Sequence, residues 1–348
     1  MNRAKPRLLW ISLGLALIAA GGLTAYWFIG AGLVRQNIEA WAAEWRAGGN
    51  TLSYRTLEIT GFPLVFRARF EAPLIGRAGG KAPWQWQAPD IKARLAPWRR
   101  GRVDGIELAG THRIRFTARG APVTLVATAA HALGRVEMGR EVNTGTLELG
   151  GVDLAPEGAE ESVRIEQATI HGFLGLAPNP DHLSPTIAAI ARLQGVVLPA
   201  HAPGPLGARV ERLRLEASVM GPLSPELSRE AFAAWRDDGG TVELREFFLR
   251  WGPLTLSANG TLALDEKMQP MGALTATIAG FAETLDALAA AGAVKARDAN
   301  SAKILFALLA RPPKPGAPPE LSLPLTIRKR KLFVGPVALF KLPPIRWQ

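Results

Sequence analysis

The sequence predicts a mainly β protein of the α+β class, in which a long curved antiparallel sheet with a few packing helices follows one transmembrane helix. Three observations lead to this fold class. An uncharged apolar run occupies residues 8–30, many later segments alternate apolar and polar residues, and 36 glycines and 27 prolines supply frequent turns. Alternation with a period of two is typical of antiparallel strands that bury one face and solvate the other.

The apolar run at residues 8–30 is predicted to be a membrane anchor. It exceeds the roughly 20 residues that a helix needs to cross a bilayer. Arg3, Lys5 and Arg7 precede it, and basic flanks are retained on the cytoplasmic side. We therefore expect residues 1–7 in the cytoplasm, a single pass through the inner membrane, and the bulk of the chain in the periplasm.

A cleavable signal peptide is the alternative interpretation of the same run. Signal peptides have apolar cores of about 7–15 residues that end in small residues, and residues 30–32 (Gly-Ala-Gly) are a candidate cleavage site. The greater length here favours an uncleaved anchor. So do Tyr26, Trp27 and Phe28 at the far end, because aromatic residues collect at the membrane interface. A buried core helix is disfavoured, since such a helix is seldom apolar all round over this length.

Residues 31–49 are predicted to extend the membrane helix outward. Apolar residues recur there at helical spacing, and two glycines end the pattern. This stripe either docks on the following domain or lies on the membrane surface; it consists of Val34, Ile38, Trp41 and Trp45. The β-rich extracytoplasmic domain is then expected to span residues 50–348.

From residue 57 onward the apolar period changes to two, which predicts strands. In the first such segment, Phe66 and Ala68 face one way, while Arg67 and Arg69 face the other. The same pattern, with mostly polar or arginine-rich outer positions, recurs at residues 113–119, 123–129 and 212–219. These segments are expected to pair as antiparallel sheet.

Turn residues place the remaining strands. Asn259-Gly260 lies between two alternating segments and predicts a hairpin with a two-residue type I′ turn, because both residues tolerate positive φ. A proline-rich connector is expected at residues 311–319. Two last strands are expected after it, at residues 321–327 and 331–339.

Four helices are expected among the strands. Each is placed by a cap residue, by a proline in the first turn or by apolar residues at helical spacing. The helices are expected to begin at Ser184-Pro185 with Ile187 and Ile190, to run from the cap Ser224 through Trp235, to span Phe281–Ala291, and to follow the cap Asn300 as far as Ala310.

The chain carries a formal charge of +11 and no cysteine. Disulfides, thiolate nucleophiles and cysteine-ligated metal sites are therefore excluded. A basic chain suggests nucleic-acid binding, but this class is disfavoured because the basic part is predicted to lie outside the cytoplasm. Solvated arginine-rich strand faces explain much of the charge. Contact with anionic lipid head groups is a further interpretation.

No catalytic motif is recognisable, and the protein is not expected to be an enzyme. The five histidines lack metal-ligand spacing, and the chain contains neither a nucleophile elbow nor a Walker-type phosphate loop. No metal or cofactor is expected.

Aromatic side chains supply the candidates for binding. Trp84 and Trp86 share one face of a predicted strand with Ala88. They form either an aromatic core ladder or the lining of an apolar groove for an acyl chain. The expected lipid contacts are Phe66, Trp84, Trp86, Trp98 and Trp251, and the expected head-group contacts are Arg99, Arg100 and Arg102.

Short motifs over most of the chain resemble one uncharacterised bacterial family, domain of unknown function 2125. They are Gly61-Phe62-Pro63-Leu64, residues 84–89, Gly239-Gly240-Thr241, residues 251–254, residues 260–264, Gly335-Pro336 and Leu342-Pro343-Pro344. The chain departs from the family pattern at residues 96–98, and residues 328–331 replace a usual glycine with a basic run. The family has no established activity. It is loosely similar to AsmA-like envelope proteins, and this similarity implies lipid handling or envelope maintenance by analogy of fold.

Two functions fit these observations. In the first, a membrane-anchored envelope protein binds or handles phospholipid or another envelope lipid through an apolar sheet face. In the second, the protein's own helices close that face, and the protein is a structural scaffold that acts by protein contact. An apolar strip left uncovered by the helices favours the first function.

Overall fold

The computed structural model of the protein describes residues 5–77, 79, 83–95, 102–118, 121–139, 141–175, 181–224, 228–312, 319–334, 337–345 and 347. The chain forms two compact units, Met1–Thr124 (unit 1) and Leu125–Gln348 (unit 2). Antiparallel strands dominate both units, and a long apolar helix precedes them. The predicted mainly β fold class is therefore confirmed.

The first helix, α1 (Lys5–Ala47), runs without a break through the segments predicted as anchor and as extension. Its stretch Leu13–Ala47 is long and apolar enough to cross a membrane, and nearly all of the most apolar window is exposed. This is consistent with single-pass membrane anchoring. The helix ends before Gly49, whose φ of 78° is the left-handed conformation that commonly follows a helix.

Unit 1 contains two antiparallel ladders. The first has the strand order β1–β4–β5–β8, and the second has the order β2–β3–β6–β7. The strands are β1 (Asn50–Ser53), β2 (Thr56–Thr60), β3 (Phe66–Glu71), β4 (Leu74–Arg77), β5 (Trp84–Gln87), β6 (Asp90–Leu95), β7 (Arg102–Glu107) and β8 (Gly110–Ala118).

Strand β9 (Ala121–Met138) leads into unit 2, where each strand pairs antiparallel with the next along the chain. The strands that follow are β10 (Val142–Pro156), β11 (Val163–Gly175), β12 (Pro185–Val197), β13 (Arg209–Met220), β14 (Thr241–Trp251), β15 (Leu254–Leu264), β16 (Pro270–Ala279), β17 (Glu320–Arg328), β18 (Lys331–Val334) and β19 (Val337–Lys341). Strand β17 confirms the strand expected at residues 321–327, whereas the single strand expected at residues 331–339 is replaced by two paired strands, β18 and β19. Residues 313–318 of the expected proline-rich connector lie outside the described residues.

Two of the helices in unit 2 begin at residues other than those predicted. Helix α2 (Arg229–Asp237) is capped by Ser228, whose hydroxyl accepts from the Ala231 amide at 3.1 Å, so the prediction of Ser224 as the cap was wrong. Helix α4 (Ala296–Leu309) follows Lys295, and Asn300 lies inside it. The prediction of Asn300 as the cap was wrong, because an asparagine can also lie inside a helix at a small energetic cost. Helix α3 (Phe281–Ala290) agrees with the prediction within one residue.

The helix expected at Ser184-Pro185 is absent, because this segment starts β12. The proline stands at the first position of the strand, where its missing amide costs no internal ladder bond. Thr186 is buried and donates its hydroxyl to the Gly221 carbonyl. Ile187 and Ile190 suggested a helix by their spacing of three, but they lie on opposite faces of a strand.

The hairpin expected at Asn259-Gly260 is also wrong, since both residues lie inside β15. The chain turns instead at the two ends of β15, at residues 251–254 and 265–269. Gly260 has a φ of 151°, and a side chain there would overlap the backbone of Ala273 and Leu274 on β16. The glycine therefore serves a close approach of two strands rather than a turn.

We expect Gly260→Ala to lower the free energy of unfolding by about 1–3 kcal/mol, because the new methyl group forces β15 away from β16 at a strained φ. Denaturant unfolding of the full chain in detergent measures this loss. Gly172→Ala in β11 is the matched control, because no atom lies within 4 Å of the position its Cβ would take. Equal stability of the two variants would contradict the assignment of Gly260 to the close approach.

Candidate functional site

The strands of unit 2 bring alternate apolar residues onto one face, which we call the apolar face. The register of the strand pairs carries this pattern from one strand to the next without a change of side. One row that crosses β9 to β17 consists of Ala132, Leu149, Ala168, Leu193, Leu213, Leu249, Leu256, Ile278 and Leu321. Such a surface must be covered by protein, by lipid or by a partner, because apolar area in contact with water is unfavourable.

The opposite face of the same strands is polar. Arg135 pairs with Glu148 at 2.6 Å, and Arg214 pairs with Glu246 at 3.1 Å. These charges identify the solvated side of the sheet and agree with the arginine-rich outer positions expected from the sequence.

Helices cover only one end of the apolar face within the described residues. Phe281 of α3 and Ala310, which follows α4, form a buried cluster with Leu321 and Leu323 of β17, and Phe306 of α4 packs against it. Helix α2 connects β13 to β14 and lies at the ends of these strands, where buried Trp235 donates to the Met220 carbonyl at 2.8 Å. Helices α3 and α4 therefore close the apolar face near the start of β17.

The middle of the apolar face is uncovered among the described residues. Ile170 on β11 is 39% exposed and Leu215 on β13 is 36% exposed, and they flank Ala191 of β12 in one row. Leu174, further along β11, is also exposed. An exposed apolar strip of this kind is a candidate binding surface.

Helix α4 adds a second exposed apolar surface. Four of its aliphatic side chains are more than half exposed, although Phe306 between them is packed on the α3 ring of Phe281 at 6.0 Å between centroids. These side chains are Ile304, Leu305, Leu308 and Leu309. The helices expected to close the apolar face thus leave apolar surface of their own in contact with solvent.

Phe66 is buried inside unit 1 and does not face solvent. It is 1% exposed in unit 1, and its ring stacks on Trp27 of α1 with centroids 5.9 Å apart. The Trp27 ring donates to the Val65 carbonyl at 3.2 Å, and a Cβ on Gly30 would lie 2.6 Å from the Phe66 ring. Helix α1 therefore packs on the β-rich part of unit 1 at Trp27 and Gly30, which lie inside the segment predicted as anchor.

Trp84 and Trp86 occupy β5, as predicted, but they differ in surroundings. Trp84 is partly exposed and lies opposite Phe116 of β8. Trp86 is half-buried and stacks on His112, with its ring nitrogen 3.3 Å from Nδ1 of that histidine. His112 is itself buried, and its other ring nitrogen contacts the Leu108 carbonyl. This arrangement favours the core-ladder interpretation of Trp86.

Trp251 is the expected lipid contact that lies on the apolar face of unit 2. It stands opposite Val210 of β13 and Leu254 of β15, at the end of the face, and donates to the Gly207 carbonyl at 2.9 Å. Trp251 belongs to unit 2, whereas Phe66, Trp84 and Trp86 belong to unit 1.

Of the expected head-group contacts, Arg99 and Arg100 lie outside the described residues, as does the expected lipid contact Trp98. Arg102 begins β7 and pairs with Asp104 at 2.9 Å. Sequence reasoning missed Ile170 and Leu215, the exposed centre of the apolar face. The available signal was the alternation of Ile170, Gly172 and Leu174 along one strand, which has the same period as the segments that were recognised.

Comparison with protein-family models matches residues 27–343 to DUF2125, described as an uncharacterized protein conserved in bacteria. Comparison with curated proteins gave no match, and comparison with solved structures gave none. The match extends from Trp27, which packs on Phe66, through the whole meander of unit 2. The chain therefore belongs to the DUF2125 family.

Proposed function

We propose that this protein is a membrane-anchored protein of the cell envelope that binds lipid acyl chains on the apolar face of unit 2. The observation that carries the proposal is the uncovered strip of Ile170, Leu174 and Leu215 in a sheet whose other face carries the ion pairs Arg135–Glu148 and Arg214–Glu246. Acyl chains suit such a strip, because they bury apolar area without any need for hydrogen-bond partners. The role is binding, without catalysis or a cofactor.

The membrane anchor supports lipid as the occupant. A chain tethered by α1 meets lipid at high local concentration, so even a weak acyl site is filled. We place the anchor in the inner membrane, with its basic N-terminus in the cytoplasm and unit 2 in the periplasm. The loose similarity to AsmA-like envelope proteins points to the same class of function by analogy only.

The second candidate is a structural scaffold that acts by protein contact. The exposed aliphatic side chains of α4 favour it, because an amphipathic helix with several anchor residues is a common recognition element for a groove on a partner. In this case the apolar face is covered by protein and holds no small ligand. Nucleic acid is not proposed as a partner of either function.

We expect the full chain, purified gently from a Gram-negative host, to retain phospholipid after its detergent is removed in the mass spectrometer. Native mass spectrometry measures this as masses added to the chain. The retained lipid is expected to survive collision energies that strip lipid from α1, because a sheet face buries more of an acyl chain than one helix does. A mass without lipid in repeated preparations would contradict acyl-chain binding and favour the scaffold.

A further inference from the structure

A basic cleft lies at the tips of the last hairpins of unit 2. It has a volume of about 990 Å³ and is lined by residues from the end of α2, the β15–β16 turn, the β17–β18 turn and β19. Seven of its side chains are basic and three are acidic, which leaves an excess of four positive charges. The basic residues are Arg236, Lys267, Arg328, Lys329, Arg330, Lys331 and Lys341.

The three acidic side chains of the cleft neutralise only part of its positive charge. Asp237 pairs with Arg236 at 2.6 Å. An Asp265 carboxylate oxygen accepts from the backbone amides of Lys267 and Gln269 at 2.8 and 2.9 Å, so it is engaged in the turn. Within the part of the chain that the structure describes, the lysine side chains of the cleft form no ion pair. The cleft therefore has a positive field that attracts anions.

The β17–β18 turn places two of these charges at an energetic cost. Lys329 and Arg330 have φ values of 49° and 60°, and they form a two-residue loop between the paired residues Arg328 and Lys331. Positive φ at both positions is typical of a type I′ turn, for which Asn-Gly is the favoured sequence. Residues held in such conformations cluster at functional sites. The turn therefore carries Lys329 and Arg330 at positions where its backbone conformation favours asparagine and glycine.

Arg330 is held in place and keeps an unused donor. Its Nη2 donates to the Leu342 carbonyl at 3.1 Å, and the Leu342 amide donates back to the Arg330 carbonyl at 2.7 Å. Its Nε is buried and has no hydrogen-bond partner among the described residues. A buried donor without a partner is unfavourable, and an anion bound in the cleft would supply the acceptor.

The cleft adjoins the apolar face. Leu264 lines the cleft and ends β15, where it follows Leu262 on the apolar side of the strand. The same side continues through Gly272 and Ile327 to Leu332. A molecule that fills both surfaces carries an anionic group at one end and an apolar chain at the other.

We propose that the basic cleft binds the phosphate group of an anionic phospholipid whose acyl chains lie on the apolar face. This inference rests on the proposed function for the acyl chains, whereas the cleft itself is an independent observation. Arginine and lysine suit the group, because guanidinium binds phosphate oxygens in pairs and ammonium adds a compact charge.

The test compares two lipids with identical acyl chains, phosphatidylglycerol and diacylglycerol, on the full chain in detergent by native mass spectrometry. The native chain is expected to retain phosphatidylglycerol at least about tenfold better. The double variant Lys329→Asn/Arg330→Gly is expected to lose most of this preference and to keep its retention of diacylglycerol. Because Asn-Gly is the favoured type I′ sequence, we expect the variant to melt at the same temperature or higher, so a lost preference is not a folding defect.

The matched control is Arg212→Gln/Arg250→Gln. It also removes two positive charges, from residues that lie opposite each other on the polar side of β13 and β14, and it is expected to keep the preference. An unchanged preference in the Lys329/Arg330 variant, or an equal loss in the control, would overturn the cleft as the phosphate site. Retention of both lipids without any preference would overturn phosphate binding in the cleft and would leave acyl-chain binding on the apolar face standing.

Soluble glycerol phosphate separates the two sources of a phosphate group. It is expected to compete with phosphatidylglycerol only weakly, because it lacks the acyl chains. If glycerol phosphate binds the native chain and neither lipid is retained, the acyl-chain function fails, and the cleft is a site for a soluble phosphate. If none of the three probes binds, both proposals are overturned.

Discussion

Phe66→Ala is expected to lower the free energy of unfolding by about 3–5 kcal/mol, which is the usual cost of removing a buried aromatic ring. Phe66 is among the largest fully buried side chains in the described residues, and its ring fills the space between β3 and α1. The ring stacks on Trp27 and lies 6.4 Å from the Tyr26 ring. Alanine leaves a cavity there, and it also loosens the packing of α1 on β3. Denaturant unfolding of the full chain in detergent, followed by tryptophan fluorescence, measures the loss.

Phe62→Ala is the matched control in the same aromatic cluster. Phe62 is 54% exposed and contacts Trp27 edge-on at 5.7 Å between centroids, so we expect a loss of only about 1 kcal/mol. The sequence placed Phe66 among the lipid contacts, and a residue that lines an open groove would cost little when truncated. A loss for Phe66→Ala no larger than that for Phe62→Ala would restore the lipid-contact interpretation.

Local alternation predicted much of the fold correctly. Along β3, Phe66 and Ala68 are buried and Arg67 and Arg69 are exposed, as the period of two requires. Such a pattern depends only on neighbours in sequence and on one buried face. The apolar spacing and the glycine near residue 292 likewise placed α3, because its amphipathic pattern matches the side that packs on β17.

The wrong predictions share a physical cause. Gly260 can serve either a turn or a close approach of two backbones, and which one applies depends on Ala273 of the next strand. Ile187 and Ile190 fit either a helix or a strand with apolar residues on both faces. In each case the deciding partner is remote in sequence, so local propensity is overridden by strand pairing.

The candidate site was harder to predict than the fold for the same reason. The rows of the apolar face come from the register of consecutive strand pairs, and a shift of one residue in the pairing of β11 or β13 would move Ile170 or Leu215 to the other side. The sequence analysis predicted tryptophans as lipid contacts because their side chains are large and apolar. Of the predicted tryptophans that the structure describes, only Trp251 lies on the apolar face. The exposed strip is built from aliphatic residues instead.

The double variant Ile170→Glu/Leu215→Glu is expected to lower retention of phospholipid on unit 2 roughly a hundredfold or more, because two carboxylates would have to be buried beneath the acyl chains. Both native side chains are more than a third exposed, so we expect the fold to lose less than about 2 kcal/mol. Native mass spectrometry of the full chain measures lipid retention, and denaturant unfolding measures stability on the same preparation.

Thr169→Glu/Thr255→Glu is the matched control, because it adds the same two charges to the polar face. Thr169 lies opposite Arg192, and Thr255 lies opposite Arg250, so each new carboxylate gains a basic neighbour. This variant is expected to retain lipid like the native chain. Lipid bound only around α1 is unaffected by either variant, since both alter unit 2 alone. Equal retention in the two variants would therefore place the lipid on the membrane helix and remove the apolar face as its binding site.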